Sequence, residues 1–134
     1  MTESIGLSSE ACTRGVRVQV RARYSAEHSD PARGHWFFLY TIRIANEGSA
    51  PVQLLTRHWV IRDATGHVEE VQGPGVVGAQ PKLEPGEDFE YTSGCPLPTP
   101  FGNMQGTFQM ITGEGARFDA EVARFDLREP SALH

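Results

Sequence analysis

The chain has 134 residues and a net charge of −5, with 39% hydrophobic and 22% charged residues. That length suits one domain able to bury a core without disulfide or metal staples. The negative balance argues against a general nucleic-acid binder, whose affinity rests on clustered Lys and Arg releasing counterions. The longest strongly apolar run, residues 36–40, is far too short to cross a bilayer.

Residues 1–14 read as a flexible lead-in: Glu3 and Glu10 are acidic, and neither a basic n-region nor an apolar h-region precedes Gly15, so this is no signal peptide. Residues 16–24 alternate, with Val16, Val18, Val20, Ala22 and Tyr24 on one face and Arg17, Gln19, Arg21 and Arg23 on the other. That is a half-buried strand with a basic, solvated outer face. All basic residues except Lys82 are Arg, which fits a codon bias as well as it fits selection for guanidinium chemistry.

Residues 35–46 form the next strand, with Phe38, Tyr40, Ile42 and Ile44 inward and Phe37 and Leu39 on the other face, ended by the Asn46-Glu47-Gly48-Ser49 turn. A third strand covers 52–62 and carries Trp59, read as the core plug because large aromatics dominate core energetics. Asp63-Ala64-Thr65-Gly66 turns the chain into 67–72 and completes a hairpin. Further strands are predicted at 87–94, 106–112 and 117–127, the last with Phe118, Ala120, Val122 and Phe125 pointing inward. Residues 129–134 are a tail. Seven short strands with turn signals between them predict an all-β, antiparallel two-sheet sandwich of immunoglobulin or fibronectin-III type.

Between two of these strands lies Gly73-Pro74-Gly75-Val76-Val77-Gly78. A Gly-x-Gly-x-x-Gly pattern binds a dinucleotide when it leaves a strand and opens a helix, whose N-terminus holds the pyrophosphate. No helix follows here. Successive glycines can still form an anion nest from backbone N–H groups, so Gly73, Gly75 and Gly78, helped by Arg57 or by Arg17, Arg21 and Arg23, are the candidate phosphate or nucleotide loop. Against this, Pro74 lacks a donor, and glycines needed for positive φ in a tight connection explain the same residues.

Catalytic patterns are thin. Ser93 in Thr92-Ser93-Gly94 lacks a nucleophile elbow. The paired carboxylates Glu69-Glu70 and Glu87-Asp88 point to opposite faces of their strands. The histidines His28, His35, His58, His67 and His134 are scattered, and only His58, Asp63 and His67 are placed to approach one another, which falls short of the four ligands a structural metal site needs. Cys12 and Cys95 have neither a disulfide-framework nor a zinc spacing and read as free thiols of a reducing compartment. No cofactor, metal or membrane partner is expected, and the chain reads as a non-enzyme of the cytoplasm.

The run Leu54-Leu55-Thr56-Arg57-His58-Trp59-Val60-Ile61-Arg62-Asp63-Ala64-Thr65-Gly66, followed by residues 70–81, resembles the ApaG family. Leu83-Glu84-Pro85-Gly86-Glu87, Tyr91-Thr92-Ser93-Gly94-Cys95 and Thr99-Pro100-Phe101-Gly102-Asn103-Met104-Gln105-Gly106 resemble its following blocks. The similarity extends over residues 16–127. It departs where the family often shows a proline before the closing Phe125 and this chain has Ala123-Arg124, which touches only the register of the last strand. The resemblance implies a small bacterial cytoplasmic protein with a fibronectin-III-like sandwich and no assigned reaction. Related domains in eukaryotic F-box proteins and in a DNA-polymerase-delta-interacting protein look like protein-interaction modules, and the bacterial name carries an association with cobalt and magnesium tolerance. The preferred expectation is therefore a protein-binding module acting through loops 73–81 and 96–104, with Val76, Val77, Gln80, Pro81, Pro100, Phe101 and Met104 as contact residues. The alternatives are phosphate or nucleotide (pyrophosphate) binding through the Gly73–Gly78 loop, or a role in cobalt and magnesium tolerance.

Overall fold

Nine β-strands and no α-helix are found among residues 7–132, the part of the chain described by the computed structural model. They are β1 (Ser8–Thr13), β2 (Val16–Tyr24), β3 (Trp36–Asn46), β4 (Val52–Asp63), β5 (Val68–Pro74), β6 (Lys82–Leu83), β7 (Asp88–Leu97), β8 (Phe101–Thr112) and β9 (Arg117–Arg128). All pairings are antiparallel. One sheet has the order β1-β2-β3-β7 and the other β5-β4-β8-β9, with β6 added to β4. No described helix is long and apolar enough to cross a membrane.

The two sheets face each other through the inward residues that alternation dictates. Val16, Val18 and Val20 of β2, Phe38, Ile42 and Ile44 of β3, Phe108 and Met110 of β8, and Ala120, Val122, Phe125 and Leu127 of β9 are buried. Burial of each large apolar side chain contributes about 1.5–3 kcal/mol. Trp59, 3% exposed, is the plug expected of it: its ring meets Tyr40, Phe108 and Phe125 edge-on at centroid distances of 5.6, 5.9 and 6.3 Å. Asn46 is buried yet satisfied, donating from Nδ2 to the carbonyls of Ala50 and Leu83 and accepting from the Gly48 amide, so it fixes the turn its sequence context announced.

Three expectations need correction. Residues Ser8–Thr13, read as part of a flexible lead-in, form an edge strand on β2. Its alternation is carried by polar side chains such as Glu10 and Thr13, so hydropathy gave no strand signal. Residues 1–6 of that lead-in, and residues 133–134 of the tail with His134, lie outside the described residues. Residues 96–104 are not one loop either, because β7 runs to Leu97 and β8 starts at Phe101. Finally, the basic face of β2 is partly neutralised: Arg17 pairs with Glu10 and Glu47, and nearby Arg43 of β3 pairs with Asp88 at 2.6 Å.

A register shift in β4 positions everything that follows. Leu54 and Trp59 are both buried although they lie an odd five positions apart, because the β4–β8 pairing slips between Leu54 and Thr56 and leaves Leu55 as a bulge. Side-chain direction alternates strictly along a strand, so one extra residue exchanges the faces beyond it. Arg57 is thereby turned to the inner face, beside Trp59.

Candidate functional site

The sandwich has two unlike flanks. On one, β9 packs against β1 and β2, and Ser9 Oγ donates to the Ala123 carbonyl at 2.7 Å while the Glu121 amide donates to Thr13 Oγ1 at 3.0 Å. On the other, the edge strands β5 and β7 do not pair, and a cleft opens between them. Its two recesses, of about 240 and 220 Å³, share Tyr40, Arg57, Trp59 and Ser93. The first continues along Ile61, Glu69, Val71, Cys95 and Met104; the second is closed over by Val76, Val77 and Gly78 and reaches Tyr91.

Arg57 is the centre of this cleft. Its Nη1 donates to the carbonyls of Pro74 and Gly75, each at 2.9 Å, and these two bonds use both Nη1 hydrogens. The described ion pairs engage Arg17, Arg33, Arg43, Arg124 and His58, and Arg57 is in none of them. Facing it are hydroxyls. Tyr40 and Ser93 lie side by side in both recesses, and burial raises the Tyr40 phenol above its ordinary pKa. Tyr91 is 7% exposed, and its Oη is buried with no hydrogen-bond partner among the described residues. Burial also raises the Tyr91 phenol well above its ordinary value and pushes the Cys95 thiol up to about 12. Each of these groups is therefore neutral at neutral pH, and the phenols are donors.

The glycine loop forms a hairpin tip, and its backbone groups are largely committed. Val76 and Ala79 exchange two backbone hydrogen bonds of 2.8 Å, with Val77 and Gly78 as the central pair at φ 42° and 81°. Positive φ at both central positions is the type I′ hairpin arrangement, which favours Asn-Gly. The Gly75 amide donates to the carbonyl of the bulged Leu55 at 2.9 Å, and Gln80 Nε2 donates to the same oxygen at 2.8 Å. With Gly75 and Val76 amides used and Pro74 lacking one, residues 73–76 offer no nest for an anion. Gly75 is required on other grounds: its φ is 62°, and a Cβ there would stand 2.4 Å from the Ala79 carbonyl oxygen.

The structure gathers some of the sequence-predicted residues and separates others. Arg57, Gly73, Gly75 and Gly78 do share one region, in which Arg57 clamps two carbonyls and the glycines shape a hairpin. Val77, at 58% exposure, and Gln80 are accessible, and Pro81, Pro100 and Phe101 are half-buried. Val76 and Met104, each 1% exposed, belong to the core and are withdrawn as contact residues. His58 pairs with Glu70 at 2.8 Å, and Asp63 Oδ1 accepts from Thr65 and from the His67 amide, so the trio weighed for a metal is spent on local bonds. No group of three or more metal-ligating side chains occurs among the described residues. Cys12 is exposed and Cys95 buried, both as free thiols. Sequence reasoning missed Tyr40, Tyr91 and Cys95 as cleft residues. Their spacing on alternate positions of β3 and β7 marks an inward face but does not say that the face ends at an opening.

Comparison with known proteins agrees with the resemblance drawn from the motifs. The family model described as the ApaG domain matches residues 26–112. A protein named ApaG from Anaeromyxobacter dehalogenans is 52% identical over 126 residues, covering 94% of this chain and 99% of that protein. A crystal structure from Bordetella pertussis, described as an ApaA protein, superposes with a TM-score of 0.84 at 50% identity, over 87% of this chain and 95% of that one. The C-terminal domain of wzt, 10% identical with a TM-score of 0.53 over 94% of this chain and 80% of that one, shares the fold alone.

Proposed function

The chain belongs to the ApaG-domain family, and from that premise we propose that it is a non-catalytic recognition module whose working surface is the open flank, with the Val77 tip and the cleft beneath it. Among the described residues the cleft holds no nucleophile hydrogen-bonded to a base, and Glu69, the carboxylate in it, bonds neither Ser93 nor Cys95. Ser93 makes no described hydrogen bond to a base, Cys95 is a neutral thiol, and no histidine lines either recess. Nucleophilic and general acid–base steps need such a pair within hydrogen-bond reach. Partner recognition by added strands is also discouraged, because the edges carry Glu69, Glu70 and Pro74 on β5 and Glu90 and Pro96 on β7, residues that blunt strand addition.

Val77 carries the proposal. A β-branched residue at positive φ is a true outlier, and Val77 is also the most exposed large hydrophobic residue among those described. Nothing in the folded core is gained by it, and backbone strain that folding does not need points to function. The expected outcome is a trade-off. Val77→Asn suits the turn and should raise stability by about 1 kcal/mol, since L-residues in the left-handed region cost roughly 1–2 kcal/mol. The same variant should lose the partner that the parent protein captures from lysate and rebinds once purified, with calorimetry reading both properties. Unchanged capture by a stabilised Val77→Asn would remove the tip from the recognition surface.

A further inference from the structure

We propose that the recess beneath the hairpin tip is a carboxylate site, in which Arg57 and the Tyr91 hydroxyl, beside the Tyr40–Ser93 pair, take a single carboxylate borne on an apolar group. The inference deepens the recognition reading and rests on it. Three independent observations meet at this place. Arg57 is in none of the described ion pairs and has committed only Nη1, leaving the N–H groups of Nε and Nη2. The Tyr91 hydroxyl, on a side chain 7% exposed, has no acceptor. Arg57 and Tyr91 both line one recess of about 220 Å³ beneath the strained tip.

A buried hydroxyl left without a partner carries an unrecovered desolvation penalty. A ligand oxygen at Tyr91 Oη recovers it and so gains more than the same contact would in water. A carboxylate accepts on both oxygens, and a guanidinium presents a matching fork. The charge count selects the anion. One guanidinium balances one negative charge, whereas a pyrophosphate or nucleotide brings several into a cleft that also contains Glu69, on a chain of net charge −5. The adjoining recess of about 240 Å³ presents Trp59, Ile61, Val71 and Met104, a wall that suits an apolar body attached to the acid. Two sources supply this chemistry: the C-terminus of an extended chain with an apolar last residue, and a small organic acid.

The test is a titration of the full chain followed by backbone amide shifts. The probes are 3-phenylpropionate, its neutral amide, N-acetyl-Gly-Gly-Phe, the same peptide with an amidated C-terminus, and pyrophosphate. The acids should give saturable shifts at Gly75, Val76, Tyr91 and Ser93, and the amides should bind about tenfold or more weakly, as expected for loss of a charge-assisted hydrogen bond. Peptide acid binding more tightly than 3-phenylpropionate assigns the site to chain termini, and the reverse order assigns it to a small acid. Tyr91→Phe keeps the ring and removes the orphan hydroxyl. It should leave the melting temperature unchanged or raised while weakening the acids about tenfold. Equal binding of peptide acid and peptide amide at the cleft overturns the carboxylate site and leaves the open flank standing as the recognition surface. Saturation by pyrophosphate alone, or acid binding indifferent to Tyr91→Phe, also overturns it. Absence of any shift at these amides overturns it as well. Capture of the purified partner by the parent protein and not by Val77→Asn would still uphold the recognition reading in each of these cases.

Discussion

The two flanks of the sandwich solve the same problem in opposite ways. Where β1, β2 and β9 meet, the sheets are drawn together by side-chain to backbone bonds at Ser9 and Thr13, and outside them Arg17 is held between two carboxylates. Where β5 and β7 run past each other, the chain leaves a cleft, an uncommitted guanidinium fork, an unpartnered phenol and a valine in left-handed conformation. The first flank satisfies its polar groups internally. The second keeps groups that a ligand would satisfy, and the contrast is the physical reason for placing recognition there.

Removing the element common to both flanks should have the largest effect. Trp59→Ala is expected to cost about 3–5 kcal/mol, because the indole spans from the cleft wall to Phe125 of β9 and its loss leaves a cavity. Urea denaturation measures it, and a near-neutral result would mean that the cleft and the core are not one packing unit. Gly75→Ala comes next, at roughly 1–3 kcal/mol for a side chain forced into a left-handed position. Hydrogen exchange should rise at β5 and the tip while β1 and β9 keep their protection; equal loosening of both flanks would erase the distinction between them.

The smallest effect separates the flanks by pH. The Glu10 and Glu47 carboxyls are held below their ordinary pKa by hydrogen bonds, from Gln19 first and then Arg17 for Glu10, and from Arg17 for Glu47. Their contribution is present above the unfolded carboxylate pKa and fades as pH falls through the lowered folded values, so acid should loosen the β1–β2 side. In the cleft, burial raises Tyr40, Tyr91 and the Cys95 thiol, the last to about 12. Those groups stabilise the fold while neutral, and that share is lost as pH rises above the ordinary thiol and phenol range toward the raised folded values. Exchange rates at β1 and at β7 should therefore respond at opposite ends of the pH scale. A shared response would indicate global unfolding in place of flank-specific opening.

Much of this was readable from alternation and turns. Val16, Val18 and Val20, the run from Phe38 to Ile44, and Ala120 with Val122 declare their inner face by a two-residue period, and all seven strands so predicted occur. The site was less legible because it depends on a bulge. Counting alternate residues from Leu54 puts Arg57 on the solvent face, and only the extra residue Leu55 turns it inward to Tyr40 and Ser93. A second slip, opposite Met104 and Gly106, places its extra residue in β9, so that Val122 and Phe125 are both buried three positions apart; Met104 alternates regularly with Phe108 and Met110 and was missed because residues 96–104 read as a loop. The glycines of 73–78 were visible as special positions, but composition does not reveal whether their amides or their carbonyls face the charged neighbour. Here it is the carbonyls of Pro74 and Gly75 that meet Arg57.

The bonds from Ser9 to Ala123 and from Glu121 to Thr13 join residues 114 and 108 positions apart. Strand β1 thus waits for β9 before its flank can be sealed. A nascent chain that has produced β2 and β3 already exposes an apolar face with no opposing sheet, and closure of this flank follows only when β9 is free. A chain truncated before β9 would lack the wall opposite the cleft and the Phe125 ring that supports Tyr40 and Trp59, a species prone to aggregation and open to proteolysis.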